Sequence, residues 1–193
     1  MYDGVEFEST IHEAFERVAR EAPDRNAIVT AGEAVTYAEL AARSRRIAHR
    51  LIGHGVRPGG IVPVVARRSP DLAAVLLGIL MAGGAYGVLD VRWPAPRIAE
   101  LLGTMRSSVV LADAAGSTRL DQAGTGHTTF DDLLRTDPAA QAPARLPDVP
   151  PDACATLFWT SGSTGSPKGC CPRTEPPRDC SPRRVSWTSA STR

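Results

Sequence analysis

Along the chain, apolar positions recur at helical spacing in some stretches and run unbroken in others. Residues 10–22 place Ile11, Phe15, Val18 and Ala22 on one stripe, which predicts an amphipathic helix. Thr10 followed by Glu13 is a capping-box signature, and Pro23-Asp24 ends the segment. Two short strands, 27–30 and 35–37, flank the turn Ala31-Gly32-Glu33. Thr36 and Glu39 repeat the capping signature before a helix that runs through Leu40, Ala41, Ser44, Ile47, Ala48 and Leu51 to about His54, where Gly55 stops it. After the turn Pro58-Gly59-Gly60, the run Ile61–Val65 reads as a buried strand carrying one proline. Ser69 caps a helix from Pro70 to Met81, and Ala85–Leu89 is a second buried strand. Trp93-Pro94 opens a helix reaching Thr104 or Met105, and Ser108–Leu111 is a third strand. Between 113 and 153 the pattern weakens. It leaves a short helix at Phe130–Leu134 and a linker-like stretch marked by Pro138, Pro143, Pro147, Pro150 and Pro151. Cys154–Trp159 then reads as a strand. Strands alternating with amphipathic helices at short intervals predict an α/β fold with a mainly parallel sheet.

The uncharged stretch Leu72–Leu89 approaches the ~20 residues of a membrane span. Gly83-Gly84 in its middle is a turn signal, so the expectation is buried helix, turn and buried strand. The first ten residues carry three acids and no basic cluster, unlike a signal peptide, and the expected compartment is the cytoplasm. Lys and Arg number 22 against 21 Asp and Glu, a net charge of +1, which leaves no electrostatic footprint for nucleic acid or an anionic membrane. Cys154, Cys170, Cys171 and Cys180 match no zinc-ligand spacing, and the expectation is that they have no designed role.

Candidate chemistry concentrates in Thr160-Ser161-Gly162-Ser163-Thr164-Gly165-Ser166-Pro167-Lys168-Gly169, directly after the last strand. Glycines without a Cβ let the backbone curl so that successive N–H groups converge on an anion. The hydroxyls of Thr160, Ser161, Ser163 and Thr164 add donors, and Lys168 adds charge. The set suits a polyphosphate. It is not a Walker A loop, because Lys168 follows Pro167 and precedes Gly169 instead of preceding Ser or Thr. A flexible linker would not normally follow a buried strand directly and end in Pro-Lys-Gly.

The segment TSGSTGSPKG resembles the phosphate-binding signature of the AMP-forming acyl-adenylate ligases, the superfamily of acyl-CoA synthetases, luciferases and nonribosomal peptide synthetase adenylation domains. Val35-Thr36-Tyr37-Ala38-Glu39-Leu40 is similar to that family's first core motif. Leu80–Asp90, LMAGGAYGVLD, is similar to its second, with Met81 in place of lysine and Gly87-Val88 in place of valine–proline. With Arg97-Ile98 following, it points toward the amino-acid-activating members. The resemblance spans roughly residues 8–169. It implies an incomplete N-terminal subdomain of the adenylate-forming fold, with Thr160, Ser161, Gly162, Ser163, Thr164, Gly165 and Lys168 holding the β- and γ-phosphates of ATP. ATP with Mg2+, a carboxylic or amino acid substrate and a phosphopantetheine carrier protein are the implied ligands and partners. No catalytic residue is assigned. Tyr37, Glu39, Tyr86 and Asp90 are expected to serve packing and turns.

Residues 170–193, rich in Pro, Arg, Ser and Cys, have no period that could bury a face and bear no likeness to the family; a disordered tail is expected. Back-translating Gly169–Pro176 with G/C-rich codons and shifting the frame by one base yields Val-Leu-Pro-Pro-His-Arg-Ala. The family's loop commonly continues with such a lysine–glycine–valine and histidine–arginine–alanine pattern. The expectation is therefore a frameshift after Lys168, and a chain that alone lacks the rest of the active site. Alternatives are a non-catalytic nucleotide-binding or interaction module, or half of a split acyl-CoA synthetase.

Overall fold

The structure is a computed structural model. It describes residues 9–135, 145–151, 153–160 and 168–170, with 159–160 and 168–170 described by their backbone alone. The elements are α1 (Ile11–Glu21), β1 (Asn26–Val29), β2 (Ala34–Thr36), α2 (Tyr37–Gly53), β3 (Ile61–Val65), α3 (Pro70–Met81), β4 (Ala85–Leu89), α4 (Ala95–Met105), β5 (Leu111–Ala112), α5 (Ala114–Gln122), β6 (Thr128–Thr129), α6 (Phe130–Leu134), β7 (Phe158–Thr160) and β8 (Lys168–Cys170).

The central sheet has the order β4-β3-β5-β6, and every pairing in it is parallel. Parallel neighbours require crossovers, and α3, α4 and α5 supply them. Side chains of β3 alternate between two layers of helix. Val62 and Val64 face a core shared with Ile47, Leu51, Val75, Ile79 and Leu133 from α2, α3 and α6. Val65 faces a second core with Ile98, Leu101 and Met105 of α4 and Leu120 of α5. A sheet buried on both faces explains why its strands read as unbroken apolar runs. Pro63, which cannot donate to a ladder, pairs with Gly87 on the β4 side, while β5 reaches only Val64 and Val65.

Both capping boxes form. The Glu13 carboxylate accepts from the Thr10 backbone N–H at 2.7 Å, and Glu39 accepts from Thr36 N–H at 2.9 Å. α2 buries Leu40, Ala41, Ser44, Ile47, Ala48 and Leu51, the positions through which the expected helix runs. Gly55 and Gly83 take φ of +92° and +80°, conformations open to glycine that end α2 and turn the chain from α3 into β4. That turn splits the uncharged stretch 72–89 as expected, and no described helix is long and apolar enough to cross a membrane.

Four expectations need correction. The buried residues of α1 are His12 and Ala19; of the expected stripe Phe15, Val18 and Ala22 are half-buried and Ile11 is 51% exposed. The third strand is Leu111–Ala112 and not Ser108–Leu111: Ser107 Oγ donates to the Val109 carbonyl at 2.7 Å and holds that stretch in a turn. The weakly patterned stretch contains α5 and β6. Asp113 caps α5 by accepting from Gly116 N–H at 2.7 Å, and Gly116 brings the helix onto Val65, where a Cβ would stand 1.8 Å from the carbonyl oxygen. The linker-like residues that are described pack: Leu146 lies against the first core, and Pro147 abuts Gly83. Pro138 and Pro143 lie outside the described residues.

Candidate nucleotide-phosphate site

The chain reaches the candidate phosphate loop from the free edge of the sheet. The outward-facing N–H of Tyr86 donates to the Ala155 carbonyl at 3.1 Å, and the Tyr86 carbonyl accepts from Leu157 N–H at 2.8 Å. Thr156 thereby forms a single parallel bridge with Tyr86. The expected strand Cys154–Trp159 is accordingly two pieces, this bridge and then β7. Because the bridge is parallel, the chain leaves it toward the carboxyl end of β4, the end of a parallel sheet where ligands commonly bind.

β7 and β8 pair antiparallel, with Phe158 opposite Cys170, Trp159 opposite Gly169 and Thr160 opposite Lys168. The first and last of the seven predicted phosphate residues thus face each other across a hairpin. Ser161, Gly162, Ser163, Thr164 and Gly165 lie outside the described residues, as does the segment 171–193. Phe158 is 58% exposed, and Val88, two residues beyond Tyr86 on β4, is 37% exposed.

The four residues read as packing and turn groups are placed as such. Tyr37 opens α2, and its ring lies 5.8 Å from that of Phe15. Glu39 completes a capping box, and its hydrogen bonds from Thr36 hold the carboxyl below its ordinary pKa. Tyr86 packs against the first core. Asp90 closes the Asp90–Trp93 turn, accepting from Arg92 N–H at 2.8 Å and from its guanidinium at 2.6 Å. These bonds from Arg92 push its pKa down to about 2.

One tie was not legible beforehand. Cys154, expected to have no role, is disulfide-bonded, with a partner outside the residues whose side chains are described. It lines a small crevice with Thr10, His12 and Gly84, where the start of α1 meets the segment leading to the loop.

Comparison with known proteins agrees with this geometry. The family described as AMP-binding enzyme matches residues 15–174. Malpinin synthetase of Mortierella alpina is 37% identical over 164 residues, which is 82% of this chain and 2% of that protein. Bacitracin synthase 3 of Bacillus licheniformis is 36% identical over 160 residues, 83% of this chain and 2% of that protein. Among solved structures, the nonribosomal peptide synthetase FmoA3 in its α-methyl-L-serine-AMP bound form superimposes with a TM-score of 0.72 at 36% identity, covering 86% of this chain and 18% of FmoA3. The N-terminal subdomain of Klebsiella oxytoca NpsA shares the fold with a TM-score of 0.73 at 23% identity, and this chain covers 40% of it. The chain thus spans 2% of the length of these two curated relatives. It belongs to the AMP-binding enzyme family, as an N-terminal part similar to the adenylation domains of nonribosomal peptide synthetases.

Proposed function

We propose that this chain contributes the phosphate-holding part of an amino-acid-activating adenylation domain. The observation that carries the reading is the pairing of Thr160 with Lys168, which closes a Gly-, Ser- and Thr-rich loop at the carboxyl end of the sheet edge. In the proposed reaction a substrate carboxylate oxygen bonds to the α-phosphorus of ATP. The bond from that phosphorus to the bridging oxygen breaks, and pyrophosphate leaves. In this reading Thr160, Ser161, Ser163 and Thr164 supply hydroxyl donors for the β- and γ-phosphates, Gly162 and Gly165 leave room for backbone N–H donors, and Lys168 offsets the phosphate charge. Mg2+ takes oxygen ligands and commonly shares substrate phosphates, and these hydroxyls are oxygen donors of that kind. The acyl group then passes to the thiol of a phosphopantetheine carrier protein. A cytoplasmic location is part of the same reading.

The 193-residue chain by itself is not expected to complete the reaction, and residues 170–193 are read as an out-of-frame product. Equilibrium dialysis of the full chain with ATP, beside a Lys168→Ala variant, tests the site. Retained ATP that falls about tenfold or more in the variant supports it. ATP binding that ignores Lys168 overturns the site, and the absence of ATP binding overturns any stand-alone nucleotide-binding role. Amino-acid-dependent pyrophosphate exchange by the chain alone overturns the inactivity. Resequencing the gene across the codons for Lys168–Arg193 tests the frameshift: a base restored there, with the frame continuing open, supports it.

A further inference from the structure

A cleft lies at the amino end of the sheet, where β3 and β5 begin. It has a volume of about 140 Å³, between the end of α2, the start of β3 and the turn joining α4 to β5. That is below the ~300 Å³ floor of pockets for drug-sized ligands, so a compact occupant fits and a whole nucleotide does not. Its lining includes Arg57, Arg106, Ser107 and Ser108, and no aspartate or glutamate. In a chain with 22 basic and 21 acidic residues, two guanidinium-bearing residues in one small cleft without an acid are not a general basic surface.

The two arginines are held differently. Arg57 is fixed at the rim by Nη1, which donates to the carbonyls of Ile52 at 3.2 Å and Val56 at 3.1 Å. Its Nε and Nη2 donors have no protein acceptor among the described residues. Arg106 ends α4 in the left-handed region, at φ 47° and ψ 41°. It is the one non-glycine with positive φ among the described residues, at a position where glycine is favoured by about 1 kcal/mol. It makes no side-chain hydrogen bond or ion pair among the described residues. Ser107 is engaged with Val109, so Ser108 is the hydroxyl left to donate. An unpaired arginine at a backbone position better suited to glycine, beside a second arginine with spare donors, has the donor chemistry of an anion site.

We propose that this cleft binds a compact tetrahedral phosphate-type anion through Arg57, Arg106 and Ser108, independently of the loop at residues 160–168. The test is isothermal titration of the full chain with inorganic phosphate and, separately, with O-phosphoserine. The variants are Arg57→Gln, Arg106→Gly and Lys168→Ala. Binding is expected to weaken about tenfold or more in each arginine variant, to persist in Lys168→Ala, and to weaken as salt rises. Arg106→Gly is expected to be at least as resistant to denaturant as the parent, which separates loss of the anion from loss of the fold. Binding of inorganic phosphate marks a free anion as the occupant; binding of the ester alone marks a phosphorylated molecule. Failure of both to bind, or binding lost in Lys168→Ala and kept in the arginine variants, overturns the proposal.

Discussion

Gly116 is the position where the smallest change should do the most damage. It sits in the first turn of α5, buried, at a φ open to any residue, so helix propensity alone favours alanine there by about 1 kcal/mol. The tertiary structure argues the reverse. A Cβ would lie 1.8 Å from the Val65 carbonyl oxygen, 2.7 Å from its carbon and 3.2 Å from Ala112 Cβ. An ordinary contact needs about 3.4 Å, so α5 would have to retreat by roughly 1.6 Å. The Asp113 carboxylate cannot follow, because it accepts from Gly116 N–H at 2.7 Å and from Arg67 N–H at 2.9 Å, joining α5 to the end of β3. Leu120, fully buried beneath α5, would lose contacts as well. Overpacking costs about 1–3 kcal/mol, and each strained bond to a carboxylate can add about 1.5 kcal/mol or more. Gly116→Ala should therefore lose about 3–4 kcal/mol net, or about 10 °C in Tm at 2–4 °C per kcal/mol for a chain of this size. Gly103→Ala on α4, where nothing lies within 4 Å of the added methyl, should gain up to about 1 kcal/mol. Urea denaturation of the full chain, followed by circular dichroism, reads both. If Gly116→Ala matches or exceeds the parent in stability, the reasoning from close approach fails.

Two further predictions concern the helices around the first core. A Cβ at Gly78 would meet Ile47 Cγ2 at 2.6 Å, so Gly78→Ala should destabilise, and Ile47→Ala in the same background should cost at least about 1 kcal/mol less than the sum of the single changes; additive values would show that α2 and α3 are not in the contact described. His12 is buried on α1, and desolvation holds its pKa below the ordinary 6.5 against the opposing pull of Glu13 and Glu16. The unfolded chain then takes up a proton at a higher pH than the folded one, so stability is full above 6.5 and falls as pH drops through the folded value. Denaturation midpoints from about pH 7.5 down to about 5 should show that decline, with a shallower slope in His12→Gln; equal slopes would refute it.

Where one element packs with its own strong period, the amino-acid sequence was enough. The α2 face from Leu40 to Leu51 and the bounds of α3 and β4 follow from apolar spacing, Ser69, Pro70 and Gly83. The α1 face was misread because His12, which is polar, is buried by its neighbours while Ile11 is left out. α5 was invisible because Leu120 is its one large apolar residue, and its helical contact depends on the absence of a side chain at Gly116. β5 and β6 pair over two residues each, too short for any period. At the candidate site the sequence proposes the loop's chemistry as a motif, and its central residues, 161–167, lie outside the described ones. The attachment of the segment leading to it was not legible, because Tyr86 holds Ala155 and Leu157 through backbone atoms that every residue type but proline possesses.

That attachment has a consequence for how the molecule breathes. Two amide hydrogen bonds at one residue tie Ala155 and Leu157 to the sheet, while β3 and β4 are paired over five residues. Residues 155–157 should thus detach from β4 at a small fraction of the global unfolding free energy. Amide hydrogen exchange at Leu157 and Tyr86 should then be fast, far ahead of Val64 in the centre of the sheet. A side-chain substitution at Tyr86 leaves both bonds in place, and proline would remove only the one donated to Ala155.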